Sequence, residues 1–339
     1  MKKFLVFALI PVIFAAACSP KKVEGTKLIA GSPAYSLAKD LATVLPVFDP
    51  DKNAVLLNAA KFTVTIGDVV EVIQNTMGAA AAGIKERGAD VLKTAVAQTA
   101  VQIGERRLLV AAADAAKIVI PQADVDKLLS EQYDKVGGKE AYMNMLKTNN
   151  VDIAFIQRTI AEDQKIQKLL EEKVFKSIQI GEEELKKLYA EDKTATVRHI
   201  LLMTQDKPAG EIPAIRKKME DILARARKGE DFAALAKEFT EDTGSKETGG
   251  LYENFPRGQM VKEFEDAAFT VPVGQVSDIV QTRFGFHILK IENRAKETEP
   301  FEKVKADLET QAKQAKKAGA YDAFITGLKS KAKFEEVKF

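Results

Sequence analysis

Two stretches, T-V-R-H-I-L-L at residues 196–202 and F-G-F-H-I-L-K-I at 284–291, decide how this chain folds. Each alternates in side-chain character with a period of two, as a half-buried strand does. Each carries a histidine near its middle, and His199 and His287 are the chain's two histidines. Between them Ile215, Met219, Ile222, Leu223 and Ala226 mark one helical face that stops at Gly229, and Phe232, Leu235, Ala236 and Phe239 mark a second. A glycine-rich loop and a short helix follow, and Val276–Val280 and Phe284–Ile291 read as closing strands joined at Gln281-Thr282-Arg283. This order predicts a compact α+β domain, since strand–helix repeats are too few for a doubly wound parallel sheet. Two histidines on neighbouring strands of one sheet would meet on one face.

The remaining composition sets limits. A chain of 339 residues with 46% apolar content is long enough for two domains, or one domain plus a helical module. The 51 basic and 49 acidic residues nearly cancel, and no basic run is interleaved with aromatics, which argues against a nucleic-acid binder. The segment A-A-A-G-I-K-E-R-G at 80–88 lacks the Gly-Lys-Ser/Thr ending of a phosphate loop.

At the N-terminus, Lys2 and Lys3 precede an apolar run, Phe4–Ala17, which is shorter than the roughly twenty residues of a spanning helix. It reads as a secretory signal. Ala15, Ala16 and Ala17 lead directly into Cys18, the single cysteine, and this resembles a lipoprotein cleavage box. Residues 1–17 are then a signal peptide, Cys18 the lipidated first mature residue, and 18–50 the anchored N-terminus and linker. With Ser19 second, sorting to the periplasmic face of an outer membrane is expected if the cell has two membranes.

Residues 51–190 read as mainly helical. Thr65 is a candidate cap with Asp68 in the first turn, and the alanine-rich segment 79–112 bends near Gly83 or Gly88. Ile153, Ile156, Ile160, Ile166, Leu169 and Leu170 mark the buried side of a long amphipathic helix. Residues 300–339 return to helix, with two apolar stripes separated near Gly319, and are expected to pack on the 51–190 domain. The tail 334–339 alternates weakly, as a strand beside Leu56 would.

Several blocks then match together. R-H-I-L-L at 198–202, D-F-A-A-L-A-K-E-F-T-E-D-T-G-S at 231–245, G-G at 249–250, F-P-R-G-Q-M at 255–260, F-E-D-A-A-F at 264–269, V-G-Q-V-S at 273–277 and F-G-F-H-I-L-K-I at 284–291 resemble a parvulin-type peptidyl-prolyl isomerase domain over 194–293. The helical layout around it is similar to the chaperone module of secreted foldases of the SurA and PrsA kind. The resemblance implies an α+β fold: a four-stranded antiparallel sheet surrounded by helices, beside a mostly helical chaperone-like module. It implies isomerisation of X-Pro bonds in unfolded or partly folded secreted and envelope proteins, with chaperone action. Outer-membrane proteins would be among the clients if two membranes are present.

By the same resemblance His199, His287, Asp242 and Thr282 form the catalytic group, and Tyr252, Met260, Phe264 and Phe284 line the proline site. Read alone, Asp242 is a helix-terminal turn residue and Met260 and Phe264, four apart, are core packing; only the surrounding blocks reverse that preference. Two departures stand out. The common G-G-D-L-G becomes Gly249-Gly250-Leu251-Tyr252-Glu253, and Val261 holds a position that is polar in some members. Tyr252 either lines a wider pocket or fills it, so a non-catalytic envelope chaperone with a peptide-binding parvulin arm is the alternative. Residues 205–213 hold Lys207 as their one basic residue, too few donors to read a phosphate. His199, His287 and Asp242 are also ligand types for a metal. Two imidazoles serving each other in a β core are the simpler account, and neither metal nor cofactor is expected.

Overall fold

A computed structural model describes residues 22–205, 207–208 and 210–339; the signal segment and Cys18 lie outside the described residues. The described residues divide into two compact units, one of residues 22–178 with 316–339, the other drawn from residues 179–315.

The first unit is mostly helical. Its described part runs through α1 (Pro33–Ala42), strands β1 (Val55–Asn58) and β2 (Thr63–Thr65), α2 (Ile66–Met77), α3 (Ala89–Ala115), α4 (Gln122–Lys135), α5 (Lys139–Thr148) and α6 (Ile153–Leu170). Thr65 begins α2 with a reciprocal capping box: its side chain accepts from the Asp68 backbone, and Asp68 accepts from the Thr65 backbone. Asp68 is also buried against Arg107 of α3 at 2.6 Å and takes the Thr26 amide at 2.9 Å. Burial pushes the Asp68 carboxyl up, but the Thr26, Thr65 and Arg107 contacts outweigh it and hold the group ionised below its ordinary range.

Leu41, Phe48, Leu57, Val64, Ile66, Val96 and Leu109 form the core of this unit. Within the span 18–50, expected to be a linker, Leu28, Leu37, Leu41 and Phe48 pack into this core. Val23 bridges Phe62, and Leu37, Leu41 and Phe48 are buried, because α1 turns its apolar side inward. The Ala79–Ala112 stretch divides at Gly88, a ten-residue 3-10 turn before it and α3 after it. A satellite core of Val125, Leu129, Tyr142, Leu146 and Ile160 joins α4, α5 and α6.

The second unit holds α7 (Glu182–Ala190), β3 (Asp192–Met203), α8 (Ile212–Arg227), α9 (Phe232–Phe239), β4 (Leu251–Pro256), α10 (Lys262–Thr270), β5 (Val280–Gln281) and β6 (Gly285–Lys296). Its antiparallel sheet has the order β4-β3-β6-β5, so the two histidine strands are central neighbours. The register pairs His199 with Leu289, Ile200 with Ile288 and Leu201 with His287. Alternation then sorts the side chains. Ile200, Leu202, Phe286 and Ile288 pack on Met219 and Ile222 of α8 and Leu235 of α9. On the opposite face Val197, Leu289 and Ile291 pack on Phe264, Ala268 and Phe269 of α10. Each fully buried side chain of this size contributes about 1.5–3 kcal/mol. Both histidines fall on the α10 face by the same period of two.

One element differs from the sequence reading. The strand expected over Val276–Val280 is regular only at Val280–Gln281, with one isolated bridge from Val276 to Lys290. Ser277 interrupts it, because its hydroxyl rather than its backbone takes the Leu289 amide and then donates to Asp278 O. The two apolar stripes separated near Gly319 lie on one continuous helix, α11 (Phe301–Ala332), since one isolated glycine in a strong helical pattern does not end a helix. Beyond α11, β7 (Glu335–Glu336) pairs antiparallel with Leu57 and Asn58, where the weak alternation of the tail pointed.

Candidate active site

The site forms where the loop after α9 folds back over the middle of β3. Gly250 makes this approach feasible. Its φ is +75°, and a Cβ there would stand 2.1 Å from His199 O. Without one, the Gly250 carbonyl accepts the His199 amide at 2.8 Å, and the Gly250 amide donates to Ser245 O at 2.8 Å. The turn from Asp242 to Ser245 is thereby held beside the His199 imidazole.

A line of polar groups results. His199 Nε2 lies 2.9 Å from Asp242 Oδ2 and 3.0 Å from Ser245 Oγ. The Ser245 hydroxyl donates to the same Asp242 oxygen, and Tyr252 OH donates to it at 2.9 Å. Asp242 Oδ1 takes the Gly244 amide at 3.2 Å. The rings of His199 and His287 lie side by side, with centroids 5.7 Å apart and planes 18° apart. His287 Nε2 is 2.9 Å from Thr282 Oγ1, which also accepts the Phe284 amide at 3.1 Å.

Proton placement follows from the partners. A carboxylate only accepts, so His199 Nε2 carries a hydrogen, and in the neutral ring its Nδ1 is a lone pair. Among the described residues, His199 Nδ1 and His287 Nδ1 are the buried side-chain atoms without a hydrogen-bond partner. At His287 the ring Nε2 and the Thr282 hydroxyl complement each other, one donating and the other accepting.

The electrostatics agree with this. Hydrogen bonding from His199, then from Ser245 and Tyr252, outweighs burial and holds the Asp242 carboxyl well below the usual carboxylate range. Burial pushes His287 from 6.5 down to about 3, and the neighbouring His199 adds to the shift, so His287 is neutral at physiological pH. Burial, then the Asp242 charge, lifts the Tyr252 phenol to about 12, so it remains a donor.

Apolar walls complete the group. The Phe264 ring stands edge-on to both imidazoles, with centroids 5.4 Å from His199 and 5.6 Å from His287. Tyr252 lies 5.0 Å from His199, and half-buried Met260 packs in the same cluster as Phe264. His199, His287, Asp242, Thr282, Tyr252, Phe264 and Met260 are therefore gathered in one place. Phe284 precedes β6, is 37% exposed, lies beside the Arg283 guanidinium at 4.8 Å, and is tied to the group through its amide on Thr282 Oγ1. Ser245 is the member that sequence reasoning missed. The Asp-x-x-Ser spacing within D-T-G-S was the available signal, since a turn brings residues three apart together. A cavity of about 630 Å³ lined by Arg227, Gly229, Gln275, Val276 and Lys290 shares no residue with this group.

An antiparallel four-stranded sheet with α8 and α9 on one face and α10 on the other, and a histidine pair tied to a carboxylate, defines a parvulin-type rotamase unit. The family described as the PPIC-type PPIASE domain matches residues 183–295. A foldase protein PrsA of Caldanaerobacter subterraneus subsp. tengcongensis is 38% identical over 207 residues, covering 59% of this chain and 63% of that protein. A foldase protein PrsA of a Geobacillus strain is 35% identical over 207 residues, covering 59% of this chain and 71% of that one. A solved structure of peptidylprolyl isomerase (PrsA) from Bacillus anthracis is 25% identical, covering 70% of this chain and 98% of that chain, with a TM-score of 0.44. The chain belongs to the PrsA family of foldases.

Proposed function

We propose that the chain is a peptidyl-prolyl cis–trans isomerase that acts on X-Pro bonds of secreted or envelope proteins and assists their folding. The observation that carries the reading is the buried line Thr282–His287–His199–Asp242 with Phe264 edge-on to both imidazoles. Uncatalysed X-Pro rotation takes tens to hundreds of seconds because twisting removes amide resonance. A planar amide carries partial negative charge on its oxygen, and the twisted amide carries less. A fixed carboxylate near that oxygen disfavours the planar form more than the twisted one, which is differential binding of the transition state. Phe264, Met260 and the Tyr252 ring supply the surface for a proline ring. No bond is made or broken, so the histidines act by fixing the donor pattern rather than by moving a proton to substrate.

In this reading Cys18 carries lipid, the body is tethered to a membrane, and the helical unit receives unfolded clients. If the cell has two membranes, the tether lies on the periplasmic face of the outer membrane, with outer-membrane proteins among the clients. The alternative, a binding arm without catalysis, draws on one feature: Tyr252 lies against His199 and ties up Asp242. NMR exchange spectroscopy on an X-Pro peptide with the mature chain decides between them. Exchange above background that falls about a hundredfold in Asp242→Ala supports the enzyme. Background exchange by the unmodified chain, with the peptide still bound, supports the arm.

A further inference from the structure

We propose that Ser245 is a positioning residue of this site: its hydroxyl, wedged between His199 Nε2 and Asp242 Oδ2, fixes the orientation of the carboxylate that faces the substrate amide. This rests on the isomerase reading above. Ser245 is 1% exposed, so water does not replace it. Its own backbone is pinned, with its carbonyl accepting from Thr248 N at 3.1 Å and from Gly250 N at 2.8 Å. The Cβ that carries the hydroxyl is thereby held beside the carboxylate.

The two oxygens of Asp242 are treated unequally. Oδ2 receives His199, Ser245 and Tyr252, whereas Oδ1 receives the Gly244 amide at 3.2 Å. With Oδ2 saturated by three donors, the unused lone-pair capacity of this ionised carboxylate lies on Oδ1. Asp242 retains about a fifth of its side-chain surface, so that capacity has a route to a ligand. Of the three donors on Oδ2, Tyr252 also presents its ring to the site and His199 belongs to the imidazole line. Ser245 interacts with His199, Asp242 and the Tyr252 hydroxyl, and it acts on the site through them.

The test uses the full mature chain. Ser245→Ala should lower kcat about tenfold while leaving KM unchanged, since the proline-binding surface is intact. The acid limb of its kcat/KM profile should move to higher pH, because a donor that favours the ionised carboxyl has been removed. Ser245→Cys, similar in volume but a weaker donor, should fall between the two. A separate readout needs no catalysis: the Asp242 carboxyl carbon, followed by NMR, should titrate at higher pH in Ser245→Ala than in the unmodified chain. Should the unmodified chain fail to accelerate exchange, the isomerase reading falls, while the carbon titration still judges Ser245. The proposal is overturned by a Ser245→Ala chain with unchanged kcat and unchanged Asp242 titration. It is equally overturned if Ser245→Cys matches Ser245→Ala only in losing fold stability, with the carboxyl titration unmoved.

Discussion

The burial of His287 makes the isomerase unit acid-sensitive well above the range in which carboxylates titrate. The ring's pKa falls from 6.5 in the open chain to about 3 in the folded one. Between those values the unfolded state binds a proton that the folded state refuses, so stability rises with pH across that window and falls as the solution is acidified. Taking the protein from about pH 7.5 to about pH 5 should cost the unit about 2 kcal/mol from this residue alone. Asp242 adds nothing in that interval. Its folded carboxyl lies below the ordinary range, so its contribution is lost only below about pH 4. The assay is urea unfolding of the full chain at both pH values, followed through the amide signals of Ile200, Ile288 and Leu289, with His287→Gln in parallel. The variant has no titrating ring there, so its stability should change by about 2 kcal/mol less between the two conditions than that of the unmodified chain. Equal pH dependence in both chains would refute the argument, as would a His287 ring that titrates near its ordinary value by NMR.

Two further outcomes follow from the packing. Gly250→Ala places a Cβ against the His199 carbonyl at a position with φ +75°, and should destabilise the same unit by roughly 2–4 kcal/mol and abolish exchange activity; near-normal unfolding in urea would contradict the close approach. Arg107→Ala strands the buried Asp68 carboxylate and should cost the helical unit about 2–3 kcal/mol, less than a fully buried pair because Arg107 keeps 30% of its side-chain surface. Amide exchange at Val69 and Val70 measures it, and unchanged protection there would show the pair to be dispensable.

The two central strands of the isomerase unit were legible because a period of two around each histidine leaves one register that buries both faces. The helices α8 and α9 were legible from their apolar stripes. Less visible was anything depending on a side chain substituting for backbone. Ser277 breaks the regular ladder with its hydroxyl, a competition that periodicity does not register. Gly319 separates two apolar stripes in the sequence, and the continuous propensity of α11 carries the helix through it. In the site, the residue types of the imidazole–carboxylate line came from the resemblance. Ser245 was passed over because its function comes from a turn that only the Gly250 crossing closes. Phe286 points into the core by the alternation of β6, whereas Phe284 precedes that strand and stays partly exposed.

The small sheet of the helical unit has a bearing on when that unit can form. β7 lies at residues 335–336 and adds to β1, Ile325 is buried in the same core, and Phe334 lies over Gly104. As the chain is made, the N-terminal helices emerge long before residues 325–336 arrive to cover them. The isomerase unit, drawn from one continuous stretch, needs no such wait. A chain laid out in this way can complete its continuous unit first and closes its helical core last.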